Sequence, residues 1–152
     1  MVMQQAQPAD VTATSGEGSL SIVLFSGTDD KLTAAAVLTA GAAAMGRRVN
    51  IFLQYWGLEA FQQGTIRGDH GTSAEAGYEG QRLVARLAES GKTQHWSETF
   101  AQAKEIGDVA IHACALSMEM FELTKDDLDP LVDDVEGVAA FMLDATGPIV
   151  FI

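Results

Sequence analysis

Leu20-Ser-Ile-Val-Leu-Phe-Ser-Gly-Thr-Asp-Asp-Lys31 is an apolar run that breaks into a turn cluster and then into the alanine-rich stretch Ala34 to Met45. A near-continuous apolar run is what a strand covered on both faces requires. The cluster Ser26-Gly27-Thr28-Asp29-Asp30 ends it, and its acids suit a helix start. The helix is read from about Lys31 to Gly46, where a glycine follows the last apolar turn. Val49 to Tyr55 is the next strand. Two parallel strands joined by a helix place both carboxyl ends on one edge, so Tyr55-Trp56-Gly57 leaves the sheet beside the first turn.

Working outward, the same alternation recurs. Ala74 to Ser90 reads as a helix with Leu83, Val84 and Leu87 on one face, stopped by Gly91, and Trp96 to Ile106 as another, stopped by Gly107. Asp108 to Ala113 is a strand, with Cys114 directly after it and a short methionine-rich helix over Ala115 to Leu123. Thr124 with Asp127 has the spacing of a reciprocal cap. Val132 to Val135 and Pro148 to Ile152 read as closing strands around a helix from Glu136 to Ala145. The expected fold class is α/β, one domain over residues 20–152 with a mostly parallel sheet of about five strands. Leu58 to Thr72, with three glycines, reads as a loop bordering whatever site the sheet builds. Met1 to Ser19 has neither a basic start nor an apolar core and reads as a disordered tail.

The chain has 21 acids against 9 bases, a net charge of −12 over 152 residues. Such a field repels phosphate backbones and anionic lipid, which argues against a nucleic-acid or membrane-surface role. The most apolar stretch is shorter than the roughly 20 residues of a membrane span. The single cysteine, Cys114, cannot form an internal disulfide, a CxxC pair or a thiolate-rich zinc site. A reducing cytoplasm is the expected compartment. No phosphate-binding glycine motif occurs, His70 and His95 have no spacing relation to His112 that would make a metal site, and neither cofactor nor metal is expected.

Cys114 falls at a strand-to-helix junction, on the edge where open α/β sheets place ligands. The amide groups of the following helix would favour a thiolate there. Unpaired cysteines are also common buried fillers, and the residues alone leave both readings open. His112, two residues earlier, shares the face of Cys114 in an extended strand. It is either a partner of the thiol or a hydrogen-bonded core residue. Gly27 and Asp30 either shape a site or only build a turn and a cap. Trp56 and Met118, with Met120 and Phe121, are candidates for an apolar wall. The acids Asp126, Asp127, Asp129, Asp133, Asp134 and Glu136 form a solvated face or a surface for a basic partner.

Several stretches taken in order resemble the DsrE/DsrF-like family. They are Ile22 to Lys31, Ala42 to Gly46, Ile51 to Leu58, His112 to Met118, Gly137 to Phe141 and Ile149 to Ile152. The resemblance implies a three-layer, flavodoxin-like sheet, a homo-oligomer, and a cytoplasmic role in sulfur trafficking with exchange to a TusA-like carrier. The family's sulfur-bearing cysteine falls on Cys114. Gly27, Asp30, Trp56, His112, Ala115, Ser117 and Met118 would then surround the substrate. The run Cys114-Ala-Leu-Ser-Met-Glu-Met-Phe121 departs from the family's Cys-x-Met-Ser-Met-Asp pattern. A thiol that resolves nothing within its own chain must pass its load to another molecule. The other reading is a non-catalytic scaffold or regulatory subunit of a sulfur-relay complex. Peroxide reduction is disfavoured, because no Thr-x-x-Cys spacing is present.

Overall fold

The computed structural model describes residues 18–152, so most of the expected tail, residues 1–17, lies outside the described residues. Ser19 is buried, and its hydroxyl pairs with that of Thr146 at 3.0 Å.

Five strands form one sheet: β1 (Leu20–Leu24), β2 (Val49–Leu53), β3 (Val109–Cys114), β4 (Asp134–Glu136) and β5 (Ile149–Phe151). Their order is β4-β3-β2-β1-β5, and every pairing is parallel. The steps from β1 to β4 move in one direction, and the last connection returns past them to the far side of β1. Right-handed crossovers then force the helices of the early steps onto one face and that of the last onto the other. The packing agrees. Helix α1 (Asp29–Ala44) contributes Leu32, Ala35 and Ala36 to a core with Ile22, Leu24, Ile51, Leu53 and Ile111. On the same face, helix α4 (Trp96–Ile106) adds Phe100 and Ala103. The small residues of α1 let α4 approach closely, so closely that a Cβ on Gly107 would press on Ala43. The opposite face carries helix α6 (Val138–Asp144), whose Phe141 packs on Phe52 and Cys114.

The remaining helices are α2 (Tyr55–Glu59), α3 (Gly77–Ser90) and α5 (Ala115–Met120), with a 3-10 turn over Lys125–Asp127 that closes with the reciprocal Thr124 and Asp127 cap. One expected boundary moves, and the expected loop is anchored. Strand β2 stops at Leu53, because Tyr55 takes a left-handed φ of 44° and starts α2. The Leu58 to Thr72 segment is an anchored turn region, with Leu58, Phe61 and Ile66 buried and Gln62 bridged to Leu128. Helix α3 forms where the periodicity places it, and Gly91 ends it at φ 60°. None of its residues is buried, and Tyr78, Leu83, Val84 and Leu87 stand exposed. No helix among the described residues is long and apolar enough to cross a membrane.

Candidate functional site

The carboxyl edge of the sheet carries two groups of side chains, one around Cys114 at the end of β3 and one at the ends of β1 and β2. Along β3 the side chains alternate, so Val109, Ile111 and Ala113 enter the α1/α4 core while His112 and Cys114 face α6. Cys114 is 3% exposed. Its cover is Phe141, whose ring stacks on Phe52 with centroids 4.7 Å apart and 14° between planes. The parallel register sets Asp134 beside His112 and Glu136 beside Cys114. His112 Nδ1 lies 2.5 Å from Asp134 Oδ1 and 3.5 Å from Glu136 Oε2. A carboxylate that accepts the Nδ1–H fixes the ring's tautomer and leaves Nε2 for another partner. The helix after Cys114 has six residues and no side-chain cap.

The other residues expected around the thiol divide between structural tasks and a second locus. Ala115 is exposed. Ser117 is fully buried, and its Oγ accepts the backbone N–H of Tyr55 at 3.1 Å, which holds the strained start of α2. Met118 belongs to the main core, whereas Met120 is exposed, so the expected methionine wall does not assemble at Trp56. Gly27 and Trp56 are brought together, in a cleft of about 720 Å³ at the ends of β1 and β2. Phe25, Thr28, Glu59 and His70 share its lining. Gly27 is required by packing, since a Cβ there would collide with the Trp56 carbonyl oxygen.

The rim of this cleft is tied down by three consecutive residues of α1. Asp29 accepts the Trp96 indole N–H and the His70 backbone N–H, each at 3.0 Å, and donates its own N–H to Gly71 O at 2.9 Å. Asp30 accepts Ser73 N–H at 2.9 Å and Ser73 Oγ–H at 2.5 Å. Lys31 pairs with Glu75 at 2.9 Å. Partial burial opposes ionisation of Asp30, yet the bonds from Ser73 and Thr28 outweigh it and hold the carboxyl below its usual range. A depressed folded pKa contributes stability above the unfolded value, and this is lost as pH falls through the folded value. Asp30→Asn is therefore expected to lower stability at neutral pH, and its deficit relative to wild type should shrink below about pH 4. Urea unfolding at neutral pH and near pH 3 checks this; an equal deficit at both would mean the carboxylate charge is not involved.

Most of the acidic run is engaged rather than merely solvated. Asp133 meets Lys104 Nζ at 2.5 Å and the Ile111 N–H at 2.8 Å, Asp129 accepts Leu131 N–H, and Asp127 caps Thr124. The partners of His112 were hidden in this run, because only the pairing of β4 with β3 reveals them. Among the described residues no three His, Cys, Asp or Glu side chains are grouped to hold a metal ion.

A five-stranded all-parallel sheet of this order, covered by helices on both faces, defines a three-layer α/β protein. The sequence model of the DsrE/DsrF/DrsH-like family matches residues 16–76, which span β1, α1, β2, α2 and the cleft rim but stop short of Cys114. The chain is similar to "Uncharacterized protein YrkE" of Bacillus subtilis (strain 168), 28% identical over 147 residues that cover 82% of this chain and 89% of that protein. Its fold is shared with the protein of unknown function MTH1491 from Methanobacterium thermoautotrophicum, at TM-score 0.57 and 12% identity over 90% of this chain and 100% of that one. It is shared also with the ychN protein from E. coli, at TM-score 0.53 and 14% identity over 88% and 99%.

Proposed function

We propose that residues 20–152 act as one DsrE-like domain that carries sulfane sulfur on Cys114 in the cytoplasm and passes it, as a homo-oligomer, to a TusA-like carrier or another relay protein. The observation that supports this reading most is the place of the only thiol: the end of β3 on the loaded edge, beside His112 and its carboxylates. With thiosulfate as donor, the Cys114 thiolate attacks the outer sulfur, the S–S bond to the sulfonate breaks, and sulfite leaves with the electron pair. The product is a Cys114 persulfide. Its release repeats the attack from an acceptor thiol, which restores the Cys114 thiolate. Loading requires Phe141 to move off the thiol, since α6 covers it. His112 is the positioning residue in this scheme, its Nε2 directed by the Asp134 contact.

Mass spectrometry after incubation with thiosulfate or polysulfide tests the reading. A gain of one sulfur on wild type that disappears in Cys114→Ser is expected; no adduct, or an adduct retained in the variant, overturns it. The burial of Cys114 favours a second reading, a scaffold or regulatory subunit with an inert thiol. Slow labelling of native Cys114 by a thiol reagent, without an adduct from any sulfur donor, is the outcome that selects it.

A further inference from the structure

The cleft at the ends of β1 and β2 lies apart from the packing neighbours of Cys114, and its chemistry differs from that of a sulfur oxyanion site. Its volume of about 720 Å³ lies within the range of small-molecule pockets. Trp56 stands on one wall with 55% of its surface exposed, and its ring is fixed edge-on against Phe25 at 5.2 Å and 77°. Glu59 follows one turn later on α2 and lines the same cleft. Among the described residues its carboxylate has neither an ion pair nor a hydrogen bond. Asp69 contributes a second carboxylate, which accepts the Gly71 N–H at 2.8 Å. No lysine or arginine is among the lining residues.

The amino end of α1 borders this cleft and would ordinarily draw an anion. Here its first two positions are Asp29 and Asp30, and the Asp29 N–H is already given to Gly71 O. One donor of that helix end is thus satisfied within the chain, and the cleft lining adds the carboxylates of Glu59 and Asp69 without a lysine or arginine. An exposed indole beside carboxylates that have no basic partner is the pairing that recognises organic cations. We propose that the cleft binds an organic cation, a guanidinium or ammonium group seated between the Trp56 ring and the carboxylates of Glu59 and Asp69. The cation is either a free small molecule or an arginine or lysine side chain of a docking protein.

The proposal is independent of sulfur loading, and Cys114→Ser should bind the cation as wild type does. Calorimetry with agmatine, with (4-hydroxybutyl)urea as a urea isostere that carries neither of its charges and with a blocked Gly-Arg-Gly peptide tests it, alongside the fluorescence of exposed Trp56. The buried Trp96, 2% exposed, supplies a steady background. Agmatine or the peptide should bind and perturb the fluorescence, with the urea isostere at least about tenfold weaker. Glu59→Gln should weaken the cation by about tenfold and Trp56→Leu by roughly five- to tenfold, with melting temperatures close to wild type. Tighter binding of the peptide assigns the site to a protein side chain, and tighter binding of agmatine to a free cation. Absence of any signal up to about 10 mM cation, equal binding of the urea isostere, or an unchanged affinity in Glu59→Gln overturns it.

Discussion

Phe61→Ala should lower the stability of this chain by about 3–5 kcal/mol, the usual cost of emptying a fully buried aromatic site. Phe61 is 0% exposed, and its ring lies 5.2 Å from Trp96 and 5.6 Å from Phe100, between the cleft rim and α4. Its backbone carbonyl also accepts the Asp129 N–H at 2.8 Å, which joins the segment after α2 to the segment before β4. Domains of this size hold only about 5–15 kcal/mol in total, so one truncation removes a large share. At about 2–4 °C per kcal/mol, the melting temperature should fall by roughly 6–20 °C. Trp56→Ala is the internal control. That side chain is 55% exposed, and its loss should cost about 1 kcal/mol or less. Denaturant unfolding of both variants, with unchanged slope, separates the two. A loss below about 1 kcal/mol for Phe61→Ala would mean that the residue 61–70 segment is not anchored as described.

That anchoring was the part of the fold hardest to read in the sequence. Strand β1 and helix α1 declare themselves because a doubly covered strand is apolar throughout and a helix repeats every 3.6 residues. The 61–76 segment repeats nothing. Its order comes from Phe61 reaching Trp96 and Phe100, and from Asp29, Asp30 and Lys31 reaching His70, Ser73 and Glu75. Those three residues look locally like helix-start chemistry, and their distant partners leave no mark near them. The same limit governs the thiol. The period-two rule puts His112 and Cys114 on one face, as the structure has them, but the Asp134 partner follows only from β4 registering against β3. Of the seven candidate neighbours of Cys114, Gly27 and Trp56 line the cleft at the ends of β1 and β2, whose walls do not include the thiol. The amphipathic pattern of α3 predicts a helix but carries no information on what covers its apolar face.

Gly57→Ala should be nearly as damaging as Phe61→Ala, although it adds a single methyl group. The turns that leave β1 and β2 are nested. A Cβ on Gly57 would collide with the Leu24 carbonyl, and a Cβ on Gly27 with the Trp56 carbonyl. Neither backbone can withdraw freely, because Gln54 N–H donates to Leu24 O at 3.0 Å and Gly57 N–H to Phe25 O at 2.9 Å. The methyl must therefore displace a hydrogen-bonded chain and not a flexible side chain, which sets the cost near the upper end of overpacking, about 3 kcal/mol. Gly27→Ala should behave alike. Gly64→Ala, at a cleft position with open space around its Cβ and no left-handed φ, should change stability by no more than about 0.5 kcal/mol. Thermal melts of the three variants decide the matter: if Gly57→Ala melts with Gly64→Ala, the two turns do not nest. Because Phe25 and Trp56 lie on opposite sides of that contact, a Gly57→Ala chain that still folds must splay the cleft walls. Loss of cation binding should then accompany loss of stability in Gly57→Ala, whereas Phe61→Ala, which leaves the Phe25 and Trp56 contact intact, should weaken binding less than it weakens the fold.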